Sequence, residues 1–218
     1  TECYAKGDME GTVRYARFGN KILGIFMIAP MAVFLIYGES FFSLWVPSQD
    51  ARLLEILSLL SIMSLLAGSC INSVFTIFTI TNHVKINSLV ILATGIATTG
   101  TVFILLETSN LGVYAIAGVS SFYALIRNFI FTPLYGAHCL GVKRSTFYHE
   151  IVTGLISLGF NIMVGLGIKK ISAGTTWFTF LISCALMGGI CLCINFFIVF
   201  SREDREMAIK MVKGKIRK

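Results

Sequence analysis

The sequence predicts an all-α fold, a polytopic transmembrane helix bundle of about six spans. Three observations carry this. Of its 218 residues, 56% are hydrophobic and only 13% are charged, against roughly 25% charged in a soluble domain. The mean hydropathy is +0.81. The apolar residues also fall in runs long enough to cross a bilayer, which takes about 20 residues for a core about 30 Å thick. Helices satisfy their own backbone groups in lipid, and the runs are too long for barrel strands.

The elements follow in order. The opening "TECYAKGDMEGTVRYARFGNK" is polar and basic and resembles no signal peptide. It reads as an internal cytoplasmic segment, so the chain is expected to be a fragment of a longer protein. Spans are predicted over 21–37, 53–81, 88–106, 113–135, 151–168 and 177–200. Short polar connections separate them, and no linker suggests a soluble domain. A polar tail, "SREDREMAIKMVKGKIRK", closes the chain.

Orientation follows from the Lys and Arg bias of short loops. With the N-terminal segment inside, the inner side holds Lys6, Arg14, Arg17, Lys21, Lys85, Lys143, Arg144 and the seven basic residues of the tail. The outer side holds only Arg52, Lys169 and Lys170. Both ends are therefore expected in the cytoplasm. The net charge of +7 is mostly this inner charge and needs no nucleic-acid partner. The tail is expected either to lie on anionic headgroups as a short amphipathic helix, with Met207, Met211 and Val212 on one side, or to stay solvated.

Polar residues inside the spans are the site candidates. In the second span, Glu55, Ser58, Ser61, Ser69, Asn72, Ser73, Thr76 and Thr79 fall within roughly a third of the circumference at about 100° per residue. Such a stripe faces either a water-filled cavity or another helix. Asn72, Ser69, Ser73 and Thr76 are the cavity candidates. In the fifth span Thr153, Ser157 and Asn161 recur every four residues, and Asn161 joins that set. "ATGIATTGT" (93–101) is dense in small residues, which favours close helix packing. Pro30 removes a backbone bond within the first span and is a hinge candidate.

Arg127 lies about eight residues before the inner end of the fourth span, roughly 12 Å at 1.5 Å per residue. Arg at the centre of a span costs about 2.5–3.5 kcal/mol on insertion scales. Its fork suits phosphate or carboxylate, and its charge is not titrated away. Arg127, with Asn128, Tyr123 and Ser120, is the candidate anion contact; a snorkelling or acid-paired arginine is the plainer alternative.

No catalytic motif appears, so no enzyme is expected. The histidines His83, His138 and His149 sit on separate inner connections. Cys70, Cys184, Cys191 and Cys193 lie in apolar runs as small hydrophobes, and no metal site is predicted.

Four stretches carry a family resemblance. "GDMEGTVRYARFGNK" (7–21) precedes a proline-bearing span. "FFSLWVPSQDARLLEILSLLSI" (41–62) makes an aromatic-Trp exit and re-entry. "NHVKIN" (82–87) forms a short turn. "GVYAIAGVSSFYALIRNFIFTPLY" (112–135) ends in an Arg-Asn pair and a Pro-x-Tyr stop. Together they resemble polysaccharide (O-antigen-type) flippases of the multidrug/oligosaccharidyl-lipid/polysaccharide, MATE-like superfamily. The departure is "LWVPS", with proline where the family has glycine.

The resemblance implies part of a two-lobed transporter. Residues 1–20 would be a cytoplasmic connecting segment and 21–138 four spans of the second lobe. Residues 139–200 would be two additional spans and 201–218 the basic tail. The implied function is export, by alternating access, of an oligosaccharide on a polyprenyl diphosphate for surface polysaccharide or lipopolysaccharide synthesis. Its partners would be that substrate, membrane lipids and a missing N-terminal lobe. Its place would be the bacterial cytoplasmic (inner) membrane. No cofactor is implied, and the coupling ion, H+ or Na+, is not identified. The alternatives are a multidrug or cation antiporter of the same fold, which calls for a mid-membrane acid, and a polytopic enzyme of polysaccharide assembly.

Overall fold

The computed structural model of the chain describes residues 2–172, 174–207 and 209, with Ala67 by its backbone alone. The tail beyond 209, with Met211 and Val212, lies outside the described residues. Among the described residues the fold is all helical, and five helices are long and apolar enough to span a membrane.

A short α1 (Glu2–Ala5) leads into α2 (Met9–Trp45). Asp8 caps α2 by accepting a bond from the Gly11 amide at 2.8 Å. At 37 residues, α2 is about 55 Å long at 1.5 Å per residue, well beyond a hydrocarbon core of about 30 Å. Its polar first turns therefore stand outside the apolar layer. The helix runs unbroken through Pro30. It is the spine of the bundle, packing on α3, α8 and α9.

The stretch expected as one long second span is two helices, α3 (Ala51–Ser69) and α4 (Asn72–Ile80). Asp50 caps α3 through the amides of Arg52 and Leu53. Ile71, fully buried, leaves the helical region at φ −130°, ψ 11°. The first amides of a helix need acceptors from outside it. One is supplied by Asn20 of α2, whose Oδ1 accepts from the Ser73 amide at 2.7 Å. Asn20 has no exposed surface. The break is thus held by a side chain from another helix, and the polar stripe over 55–79 is not carried on one straight helix.

Asn82 turns the chain at φ 57°, a left-handed conformation that Asn tolerates, into α5 (Val84–Thr108). This helix has no buried residue and packs mainly on α6. α6 (Val113–Ile126), a π-turn (Arg127–Phe131) and α7 (Thr132–Cys139) run on continuously. α8 (Tyr148–Ile171) and α9 (Trp177–Val199) complete the bundle, α9 opening on a Thr176/Thr179 capping box.

Phe18 and Ile25 of α2 pack on Val199 and Phe200 at the end of α9, and two further apolar cores flank the helix. One joins Ile28 to Ile71, Val74 and Phe78 of the α3–α4 region and to Phe147 and Ile151. The other joins Ala29, Ala32 and Ile36 to Met187 and Cys191 of α9. Close approach depends on Gly165 of α8: a Cβ there would overlap Met187 Cε and stand 2.7 Å from Ile36 Cγ1. Small residues at such crossings let helices in lipid approach. Large apolar side chains point outward elsewhere, among them Ile96, Phe103, Met163 and Phe178, a surface suited to lipid rather than water.

The two ends of the bundle differ. The start of α2, the start of α8 and the segment after α9 meet at one end, tied by Arg17–Glu150 at 2.7 Å and Lys21–Asp204 at 2.6 Å. At the other end Lys169 donates to the Ile36 carbonyl at 2.6 Å and Tyr37 to that of Ser172 at 3.1 Å. Phe41, Trp45, Trp177 and Phe180 cluster there in tilted and edge-to-face pairs, and aromatic residues are enriched at a membrane interface. Arg14, Arg17, Lys21 and Lys143 thus meet at one end, and Lys169 is at the other.

Candidate functional site

Arg127 opens the π-turn. The Thr132 amide bonds to its carbonyl, one residue beyond the α-helical register. Pro133, just after, has no amide hydrogen to continue an α-register. A π-turn inserts one extra residue and is common at functional positions. It carries Asn128 inward against α3, where Asn128 is 5% exposed and its Nδ2 donates to the Ser64 carbonyl at 3.4 Å. Asn128 Oδ1 accepts from Arg127 Nε at 3.4 Å.

One edge of the guanidinium is thereby engaged, and its terminal nitrogens remain for another partner. Arg127 is half-buried. Among the described residues no carboxylate lies within 4 Å of it. An arginine held by a neighbouring amide and lacking a carboxylate can take an oxyanion in a bidentate, charge-assisted contact.

Tyr123 and Ser120 share the Arg127 face of α6 by spacing, but each has its own partner. The Tyr123 hydroxyl bonds with Thr101 Oγ1 of α5 at 2.9 Å. Ser120 donates to the Ala117 carbonyl at 3.1 Å and opens on a groove of about 310 Å³ shared with Thr98 and Thr99 of α5. The structure brings Asn128 to Arg127; Tyr123 instead ties α6 to α5.

The cavity candidates separate. Ser73 and Thr76 line a cleft of about 610 Å³ with Thr12, Tyr15 and Glu2. Asn72 is exposed beside it. Ser69 is buried and donates to its own helix at Leu66, 2.8 Å away. Asn161 is wholly enclosed in α8, remote from that cleft, and neither amide atom has a partner among the described residues. One turn earlier, Ser157 donates to Asn195 Oδ1 of α9. This buried polar seam is an interhelical feature, the second of the two readings open to a polar stripe. Pro30 is exposed on α2 beside an apolar groove shared with α9.

Two further groups give little signal in the sequence. Asn195 is hidden in "CLCINFF", with only its four-residue spacing from Cys191 as a signal. Glu150, 3% exposed, sits in the first turn of α8 and looks like part of a polar loop. Its Oε1 accepts from Arg17, while Oε2 is buried with no hydrogen-bond partner among the described residues. Near it, outside the apolar layer, burial pushes Asp204 upward. Bonds from Lys21 and Ser201 outweigh this and hold its carboxyl below the usual carboxylate range.

No family model matches the chain, and no solved structure matches it. It is 26% identical over 216 residues, 96% of its length, to the "Uncharacterized membrane protein EpsK" of Bacillus subtilis (strain 168). The match covers 41% of that protein, so the chain spans less than half the length of this curated relative. The helices and this likeness together make the chain a polytopic helical membrane protein, similar along almost its whole length to part of another membrane protein.

Proposed function

We propose that the chain is part of a transporter that moves polyprenyl-diphosphate-linked oligosaccharide from the inner to the outer leaflet of a bacterial cytoplasmic membrane. The observation that carries the reading is Arg127. A permanent cation is kept in an apolar helix, oriented by Asn128 and without a carboxylate partner among the described residues. A cation so placed is costly unless an anion uses it. A diphosphate is an anion the fork suits. The helix that bears it also borders a groove in which Ser120, Thr98 and Thr99 stand among the apolar Val102, Phe103, Leu106 and Ile116.

In this reading both ends of the chain face the cytoplasm, because the basic end of the bundle stays on that side. The rest of the transporter would cover the unpacked side of α5, whose apolar window has no buried residue. Cycling would be coupled to an H+ or Na+ gradient. The test is complementation in cells that depend on this protein for surface polysaccharide. Arg127→Ala is expected to reduce surface polysaccharide sharply at a normal protein level, and Arg127→Lys to restore part of it. Unchanged surface polysaccharide in Arg127→Ala refutes the reading.

A further inference from the structure

At the basic end of the bundle, a cleft of about 740 Å³ opens between the start of α2, the turn before α8 and the segment after α9. Arg14, Arg17 and Lys21 line it from α2 and Lys143 from the turn, against Glu10, Glu203 and Asp204. Arg14, Arg17 and Lys21 are spaced three and four residues apart, so they share one face of α2. Lys21 is occupied by Asp204. Arg17 is different: it faces the cleft on one side and reaches Glu150 on the other. Its side chain is 34% exposed, while that of Glu150 is 1% exposed.

The asymmetry has a physical consequence. Arg17 can turn into the cleft at small cost, because its side chain is already partly exposed there. Glu150 cannot follow. It would be left as an enclosed carboxylate whose second oxygen has no partner among the described residues. A buried carboxylate without its counter-charge neutralises by taking a proton rather than remaining charged.

The other charged and titratable groups around Glu150 do not substitute for Arg17. Cys70, from the α3–α4 break, is within electrostatic reach but is a neutral thiol. Arg14 and Lys21 stand three and four residues from Arg17 on α2, and Lys143 and Arg144 lie in the turn before α8. Asp204 is bonded to Lys21 and Ser201. His149 is turned to Thr153, 3.2 Å away. Only Arg17 forms an ion pair with Glu150 among the described residues.

We propose that this cleft is a proton-linked binding site for a phosphate-bearing anion, in which the anion draws Arg17 from Glu150 and Glu150 takes up a proton. Arg14 and Lys143 complete the anion's contacts. The ligand is a phosphate ester, either on a lipid headgroup or free. The inference stands on the ion pair and the cleft, not on Arg127 or on any cargo, so it fails or holds independently of the transport reading.

Linkage sets the expected numbers. One proton taken up per anion makes affinity rise by up to about tenfold per unit fall in pH. The free probe is glycerophosphoglycerol, a phosphodiester whose charge does not change between about pH 5 and 8. It is titrated calorimetrically into the purified chain, in buffers of different ionisation heat that count protons. The lipid arm compares thermal stability in nanodiscs of phosphatidylcholine alone and with phosphatidylglycerol, at about pH 6 and 8. Binding or stabilisation greater at the lower pH, with proton uptake in the calorimeter, is expected in at least one arm. The arm that responds tells a free ester from a headgroup.

Glu150→Gln removes the charge that holds Arg17. It is expected to bind more tightly than wild type at about pH 8, by at least the factor that wild type gains between about pH 8 and 6, up to about 100-fold, with no proton uptake and no pH dependence. This gain cannot come from misfolding. Arg17→Gln is expected to lose the pH-dependent part. No response in either arm, or pH dependence that persists in Glu150→Gln, overturns the proposal.

Discussion

Replacing Asn20 by Ala tests whether a side chain of α2 holds the break between α3 and α4. Asn20 Oδ1 accepts from the Ser73 amide at 2.7 Å, in a site with no exposed surface. Ala removes the acceptor and leaves a helix N-terminal amide without a partner. Loss of a capping side chain costs about 0.5–2 kcal/mol. A buried donor left unsatisfied costs about 1–3 kcal/mol. These describe one lost bond from two sides, so the expected destabilisation is about 2 kcal/mol, a factor of about 30 in the folded ratio at about 1.4 kcal/mol per tenfold. For a chain of this size that is a fall of roughly 4–8 °C in melting temperature. Cys70, 3% exposed and next to the break, supplies the assay. With the more exposed Cys3, Cys139, Cys184 and Cys193 replaced by Ser, its reaction with a thiol dye during heating in detergent reports opening at that point. Asn72→Ala, at an exposed position one turn before Thr76 on α4, is the control and is expected to shift little. Labelling and melting of Asn20→Ala indistinguishable from wild type would refute the capping argument.

Two further perturbations probe packing and electrostatics. Gly165→Val drives a Cβ into Met187 Cε and to 2.7 Å from Ile36 Cγ1; overpacking of this kind costs about 1–3 kcal/mol. Adding Met187→Ala is expected to recover part of the loss in melting temperature, and no recovery would place the strain elsewhere. The Lys21–Asp204 pair makes stability depend on pH. The folded carboxyl of Asp204 lies below its ordinary value, so its contribution is present above the usual carboxylate pKa of about 4 and is lost as pH falls through the folded value. The melting difference between wild type and Asp204→Asn is therefore expected to be constant from about pH 5 to 8 and to shrink below about pH 4. A difference that grows on acidification contradicts the sign.

The helical class and most of the spans are legible in the sequence because apolar length alone decides them. The basic end is legible because loop charge segregates with side. The break at Ile71 is not, since Ser, Cys and Ile are all tolerated within helices, and what holds it is Asn20, 53 residues earlier. The π-turn is half visible: Pro133 marks where an amide is missing, but not that the helix widens before it rather than ending. Arg127 stands out because a charge in an apolar run is costly wherever it points. That Asn128 orients it is a matter of register, which the π-turn sets. Glu150 is illegible because its partner, Arg17, is 133 residues away, and a carboxylate in a first helical turn looks solvated until α2 is packed on it. Asn161 is recognisable as an interior polar residue, but spacing does not distinguish a cavity wall from an interhelical seam.

The proposed transport requires Arg127 to engage the phosphate of a lipid-linked oligosaccharide during its passage between leaflets. The most direct measurement is the leaflet distribution of that lipid in membrane vesicles, read with a membrane-impermeant sugar-binding probe. A charge-assisted hydrogen bond contributes about 1.5–3 kcal/mol, or roughly 10–100-fold at about 1.4 kcal/mol per tenfold. Arg127→Ala is expected to slow arrival in the outer leaflet by that factor, with Arg127→Lys between it and wild type. An Arg127→Ala rate equal to wild type, at equal protein level, would contradict the account.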